Sequence, residues 1–161
     1  MRKVLIFGNS GSGKSTLAVK ISNDEGLAHL DLDSLAWLPT TPPERAPILE
    51  SELKINNFIN LNHDWVIEGC YTDLLELVAP MASEIIFMNL SVDKCIINAK
   101  KRPWEPHKYK SKEDQDKNLD MLLTWIKQYT ERNDVCSFTS HTKFYEQFCG
   151  TKTMHTNNES N

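Results

Sequence analysis

The stretch Val4-Leu5-Ile6-Phe7-Gly8-Asn9-Ser10-Gly11-Ser12-Gly13-Lys14-Ser15-Thr16 decides the reading of this chain. The four apolar residues read as a buried strand, and Leu17 to Ser22 reads as a helix. Between them lies G-x-x-x-x-G-K-[ST], a phosphate-binding loop in its strand–loop–helix setting. Glycines let the backbone turn tightly with no Cβ in the way. The loop N–H groups then point inward as an anion nest, and the following helix adds its positive end. Gly8, Gly11, Ser12, Gly13, Lys14, Ser15 and Thr16 are thus the expected nucleotide cradle. Lys14 reaches the β- and γ-phosphates and the Ser15 hydroxyl binds Mg²⁺, while Thr16 stands one position further round the helix.

Outward from the loop, 161 residues fit one domain, and 40% apolar content is enough for a core. The net charge of −4 argues against a broad nucleic-acid-binding face. Cys70, Cys95, Cys136 and Cys149 lie far apart without a C-x-x-C pair, so neither a disulfide scaffold nor a zinc site is expected. A reduced, cytoplasmic chain is the plain reading. No segment approaches the ~20 apolar residues of a membrane span.

Along the chain, residues 2–7 read as the first strand and Ala28 to Leu32 as the second. Residues 34–47 carry four prolines and read as irregular. Ile48 to Leu61 has helical spacing, Trp65 to Glu68 reads as a third strand, and Thr72 caps a short helix through Val78. Ile85 to Met88 is a fourth strand, and Ser91 caps the helix after it. Residues 100–114 are polar and irregular, and Gln115 to Thr130 forms an amphipathic helix. Val135 to Thr139 is the candidate last strand, Lys143 to Phe148 a short helix, and 151–161 a loose tail. Strands alternating with helices imply an α/β fold whose parallel sheet is covered on both faces. Ligands gather at the carboxyl ends of such strands.

Two of those ends carry carboxylates. After the second strand stand Asp31 and Asp33, which an extended chain would place on one side. One can hold Mg²⁺ through water, and the other can accept a proton from an attacking hydroxyl. After the third strand stand Glu68 and Gly69. Glu68 occupies the place of a Walker B acid and could support the metal or the acceptor, with Gly69 letting the backbone approach a ligand. Residues 100–110 hold six basic or titratable-base residues between two helices. Such a flap could close over transferring phosphates and exclude water. Arg102 is its best candidate because guanidinium grips phosphate with two donors; the lysines read singly as solvated. Trp37 and Trp104 sit in irregular stretches flanking this site. The five histidines show no metal-ligand spacing.

Together these features resemble the adenylate-kinase-like P-loop kinases. The runs His29-Leu30-Asp31, Trp37-Leu38-Pro39, Trp65 to Tyr71 and Arg102-Pro103-Trp104-Glu105 look closest to small bacterial shikimate-kinase-like or topology-modulation proteins. The resemblance covers about residues 1–150 and implies a three-layer α-β-α domain with a five-stranded parallel sheet. It also implies ATP with Mg²⁺, and transfer of the γ-phosphoryl to a small-molecule acceptor. It puts the acceptor segment at residues 33–63 and the lid at 100–114, and it has Ser140, His141 and Thr142 near the base.

The chain departs from those kinases. It has Glu68-Gly69-Cys70 where shikimate kinases carry a glycine triplet, and only four arginines: Arg2, Arg45, Arg102 and Arg132. Arg45 alone could serve the acceptor. That leans toward a neutral or weakly charged acceptor such as a nucleoside or sugar-like alcohol, with a hydroxyl or a phosphate of a small acceptor, nucleotides included, as the receiving group. The guanine motif Asn-Lys-x-Asp is absent, which favours ATP. The expectation is an ATP-dependent phosphotransferase with Lys14, Asp31, Asp33 and Arg102 as catalytic residues. Ser15 and Asp31 would hold the metal, and Asp33, Arg45, Glu68 and Gly69 the substrate. The alternative is a regulatory or binding ATPase that transfers to nothing, possibly near nucleic acid. Oligomeric state is open.

Overall fold

Three unbroken apolar runs become the three inner strands of one sheet. The computed structural model describes residues 2–158. In chain order the elements are β1 (Lys3–Gly8), α1 (Lys14–Glu25), β2 (Ala28–Asp31), β3 (Trp37–Leu38), β4 (Glu44–Arg45) and α2 (Ile48–Leu61). They continue as β5 (Trp65–Gly69), α3 (Thr72–Val78), β6 (Glu84–Met88), α4 (Val92–Lys101), α5 (Lys112–Lys127), α6 (Phe138–Gln147) and β7 (Thr151–His155). The main sheet has five strands in the order β2-β5-β1-β6-β7, and every pairing is parallel.

Strands buried on both faces need apolar side chains on both faces, and β1, β5 and β6 have them. Val4, Leu5, Ile6, Phe7, Trp65, Val66, Ile67, Ile85 and Phe87 are fully buried. Alternation divides them into two cores. Leu5, Phe7, Ile67 and Phe87 pack with Ile55 of α2, Leu74 and Leu75 of α3, and Phe144 of α6. Val4, Ile6, Val66 and Ile86 pack with Ala18 and Ile21 of α1, Cys95 and Ala99 of α4, and Ile126 of α5. Each such side chain contributes about 1.5–3 kcal/mol by leaving water. The result is an α/β three-layer domain with helices on both faces, as expected.

The fifth strand lies elsewhere than expected. Val135 to Thr139 is not a strand. Ser137 accepts from Ser140 N at 3.2 Å and caps α6. A serine cap stabilises a helix start by about 1 kcal/mol, and here it overrides the β preference of Val135, Phe138 and Thr139. The short helix expected at 143–148 is the second half of α6. Thr151–His155, expected as tail, is β7 and pairs parallel with β6 from Glu84↔Thr151 to Met88↔His155. Its residues are all exposed. A polar, lysine-bearing edge strand needs no apolar pattern, so no hydrophobic signal announces it. Of the rest of the expected tail, 156–158 follow β7 without regular structure, and 159–161 lie outside the described residues.

Two smaller differences bear on the site. The irregular 34–47 segment contains an antiparallel hairpin that sets Trp37 opposite Arg45. The segment expected as a lid, 100–114, narrows to a loop over 102–111, because α4 runs to Lys101 and Ser111 caps α5 by accepting from Asp114 N at 3.1 Å. No helix among the described residues is long and apolar enough to cross a membrane.

Candidate active site

At the carboxyl end of β1 the chain turns through the glycine loop into α1. Gly13, the residue before α1, has a φ of 89°, a left-handed conformation that glycine takes without strain. Gly11 has a φ of 79°, and a Cβ there would overlap the Cys95 carbonyl, so α4 packs directly on the loop. The loop carbonyls find donors on the loop itself and on its neighbours. Asn9 O accepts from Lys14 Nζ at 2.9 Å, Gly11 O from Asn98 Nδ2 at 2.8 Å, and Ser12 O from Asn158 Nδ2 at 2.9 Å. Gly13 O accepts from Leu17 N at 3.0 Å. The N–H groups of Gly11, Gly13, Lys14 and Ser15 bond to no backbone carbonyl among the described residues, which leaves them for an anion. Ser12 is wholly buried, and its hydroxyl lacks a partner among the described residues. Thr16 is exposed on the first turn of α1. Asn9 Nδ2 donates to Ile126 O at 3.3 Å and ties the loop to the end of α5.

Glu68, on the strand next to β1, is 1% exposed. Its Oε1 accepts from the Ser15 hydroxyl at 2.9 Å, and its Oε2 lies 2.9 Å from His29 Nε2. The Glu68 hydrogen bond raises the His29 imidazole above its ordinary value, against the opposite pull of burial. In the sheet register Asp31 sits beside Glu68. A Cβ on Gly69 would lie 2.9 Å from Leu32 Cβ, so the glycine lets Leu32 pack directly against β5.

Asp31 and Asp33 do come together, but not through an extended strand. β2 ends at Asp31, and residues 32–34 form a 3-10 turn in which Asp31 Oδ1 accepts from Asp33 N at 2.9 Å. Lys108 of the lid bridges the two carboxylates, 3.6 Å from Asp31 Oδ2 and 3.1 Å from Asp33 Oδ2. The Tyr71 hydroxyl donates to Asp33 Oδ1 and accepts from Trp37 Nε1 at 2.8 Å. Burial, with Glu68 and Asp33 nearby, pushes the Asp31 carboxyl up. Desolvation also pushes Asp33 up, but Lys108, the Tyr71 hydroxyl and Lys14 outweigh it and hold that carboxyl below its usual range. Burial lowers the Lys108 ammonium, and Asp33, Asp31 and Glu105 more than reverse it.

Other expected residues have different surroundings. Arg45 is committed to Asp73, 3.2 and 3.0 Å from the two carboxylate oxygens, and lies 4.7 Å over the Tyr71 ring. Arg102 pairs with Glu105 at 3.2 Å inside the lid. Trp104 donates to Tyr109 O, also inside the lid. His141 lies in a helix rather than in the loop expected there. It is fully buried in α6, 2.7 Å from the Tyr129 hydroxyl and 2.7 Å from Cys70 O. Burial pushes it down to about 4. Ser140 braces the α6 cap, and the Thr142 hydroxyl is buried within the same helix.

His29, Tyr71, Asn98, Lys108 and Asn158 are the residues at this site that sequence reasoning missed. Lys108 carried a signal as one base among six in the flap, and His29 and Tyr71 stand in runs that carry the kinase resemblance; Asn98 and Asn158 carried none.

A solved shikimate kinase from Bacteroides thetaiotaomicron superposes with a TM-score of 0.54 over 96% of this chain and 86% of that chain, at 12% identity. A deoxyadenosine kinase from M. mycoides with bound dATP superposes with a TM-score of 0.52 over 96% and 90%, at 16% identity. A scan of protein-family models and a search of curated proteins return no match to the chain. The fold is that of the P-loop kinases.

Proposed function

We propose that this protein is an ATP-dependent phosphotransferase acting on a hydroxyl of a small, neutral acceptor. The observation that carries the reading is the bond between Ser15 and buried Glu68, with Asp31 and Asp33 beside them. Phosphate loop and carboxylates thus meet at one end of the sheet, where a donor phosphate and an acceptor hydroxyl would have to meet. The two kinase structures of like fold support it.

Ser15 and Glu68 fit Mg²⁺, since both offer hard oxygen donors 2.9 Å apart. Bound there, the ion would offset phosphate charge. This assigns Glu68 to the metal ahead of Asp31, which sequence reasoning had chosen. Lys14 swings from Asn9 O to the β- and γ-phosphates, and the free loop N–H groups hold the remaining oxygens. Asp33, held ionised by Lys108 and Tyr71, orients the acceptor hydroxyl and takes its proton as the oxygen attacks the γ-phosphorus and ADP leaves. Asp31 stands next to it as a second polar anchor. Arg102 supplies charge to the transferring group from the lid once it leaves Glu105. A neutral acceptor is favoured because Arg45, the arginine within its segment, is paired with Asp73.

The test is a panel of nucleosides, nucleoside monophosphates, sugar alcohols, sugar acids and shikimate with ATP and Mg²⁺, read as ADP formed and product mass. Transfer to a neutral alcohol is expected. ATP binding without transfer to any acceptor would replace this reading with that of a regulatory ATPase.

A further inference from the structure

The lid is a braced turn aimed at the acceptor side of the site. Lys108 N and Tyr109 N both donate to Glu105 O at 3.0 Å. Glu105 N donates to Gln115 Oε1 at 2.8 Å, and Gln115 Nε2 donates back to Pro103 O at 3.0 Å. Asn118 Nδ2 holds the Tyr109 hydroxyl at 2.8 Å. Two side chains of α5 therefore grip both ends of the turn, and Lys108 projects from its middle. Its ammonium reaches Asp33 at 3.1 Å, Glu105 at 3.3 Å and Asp31 at 3.6 Å, and its side chain is only 24% exposed. Arg102, the residue singled out from the sequence, is turned instead to Glu105.

We propose that Lys108 is the positioning residue of the lid: it closes on Asp31 and Asp33, fixes Asp33 for the acceptor, and so couples closure to the acceptor rather than to the nucleotide. This rests on the phosphotransferase reading above. Two carboxylates side by side repel each other. An ammonium between them offsets that repulsion and leaves Asp33 one arrangement, with Lys108 on Oδ2 and Tyr71 on Oδ1. Opening the lid removes the ammonium and frees the Asp33 side chain to turn. Transfer then proceeds only with the lid down, when the turn also excludes water.

The test compares Lys108→Met and Lys108→Arg with the unaltered protein. In Lys108→Met, kcat falls about tenfold or more and the acceptor KM rises, because the acceptor hydroxyl is misplaced. ATP affinity, measured by calorimetry with Mg²⁺, stays within about twofold, because the phosphate loop is untouched. Lys108→Arg restores most of kcat, since a guanidinium can bridge the same oxygens. Amide exchange over residues 102–111 quickens in Lys108→Met, while exchange in the glycine loop does not change. Unchanged kcat with unchanged lid exchange overturns the proposal. So does an equal loss of kcat, ATP affinity and Tm that Lys108→Arg fails to restore. If the unaltered protein transfers to no acceptor, the phosphotransferase reading falls, and the exchange comparison alone decides whether the Lys108 latch stands.

Discussion

The Ser15 hydroxyl and Glu68 Oε1 lie 2.9 Å apart, joining the first turn of α1 to the end of a strand 53 residues further on. That bond makes the phosphate loop and the buried carboxylate one unit. Glu68→Gln keeps the shape but loses the charge and one acceptor. Removing a group that stabilises charge in a closed site costs about 10²–10³ in kcat. We expect that loss together with a loss of the Mg²⁺ dependence of ATP binding, checked by calorimetry with and without the ion. Tight, Mg²⁺-dependent binding in Glu68→Gln would remove Glu68 from the metal site.

Lys14 presently caps Asn9 O, a carbonyl of its own loop, at 2.9 Å. Lys14→Ala should leave the fold intact, because Asn9 O also accepts from Ser12 N at 3.2 Å. Turnover should drop by about 10²–10³. Steady-state ADP release alongside a thermal melt separates the two effects. Retained turnover in a folded variant would show that the ammonium takes no part.

Arg45 reaches both carboxylate oxygens of Asp73 through one nitrogen, Nη2, and its guanidinium lies 4.7 Å over the Tyr71 ring. The pair is partly buried, with side chains 28% and 27% exposed. Arg45→Met should destabilise the protein by about 1–2 kcal/mol, from the lost charge-assisted bonds and an orphaned Asp73. Urea denaturation measures that figure. The same variant should treat anionic and neutral acceptors as the unaltered protein does. A selective loss of activity on anionic acceptors would return Arg45 to the acceptor site.

His141 and His29 set opposite slopes in stability against pH. Burial depresses the His141 imidazole in the folded chain to about 4, below the unfolded value of 6.5. The unfolded state therefore binds more protons between those values, and stability falls as pH is lowered through that window. The loss from this group is on the order of 3 kcal/mol at its lower end. His29 is raised by Glu68, so its contribution is complete below 6.5 and is lost as pH rises through its folded value. Urea midpoints from pH 4.5 to 7.5 should show the acid limb flattened in His141→Asn and preserved in His29→Asn. An acid limb unaltered in His141→Asn would mean that other groups carry it.

Much of the inner structure is legible in the chain because it follows from local physics. Apolar runs long enough for a strand but too short for a helix set β1, β5 and β6. The glycine spacing sets the loop after β1. Helix caps at Ser91 and the stripe of α5 are likewise written over a few adjacent residues. β7 was missed because an exposed edge strand needs only one neighbour and carries no hydrophobic pattern. Val135 to Thr139 was misread because a single serine hydroxyl outweighed the strand preference of the residues around it.

What the amino-acid order determined by itself was the phosphate loop, the parallel sheet and the identity of the carboxylates that end its strands. Only the tertiary structure decided which of them meet. Glu68 finds Ser15 at the start of α1 and His29 on the neighbouring strand, Lys108 reaches Asp33 from 75 residues away, and Arg45 is claimed by Asp73 before any ligand arrives. Periodicity and caps act over a few residues, so they can be read in order along the chain. A charge pair between distant segments depends on how the whole sheet is stacked, and nothing local encodes its partner.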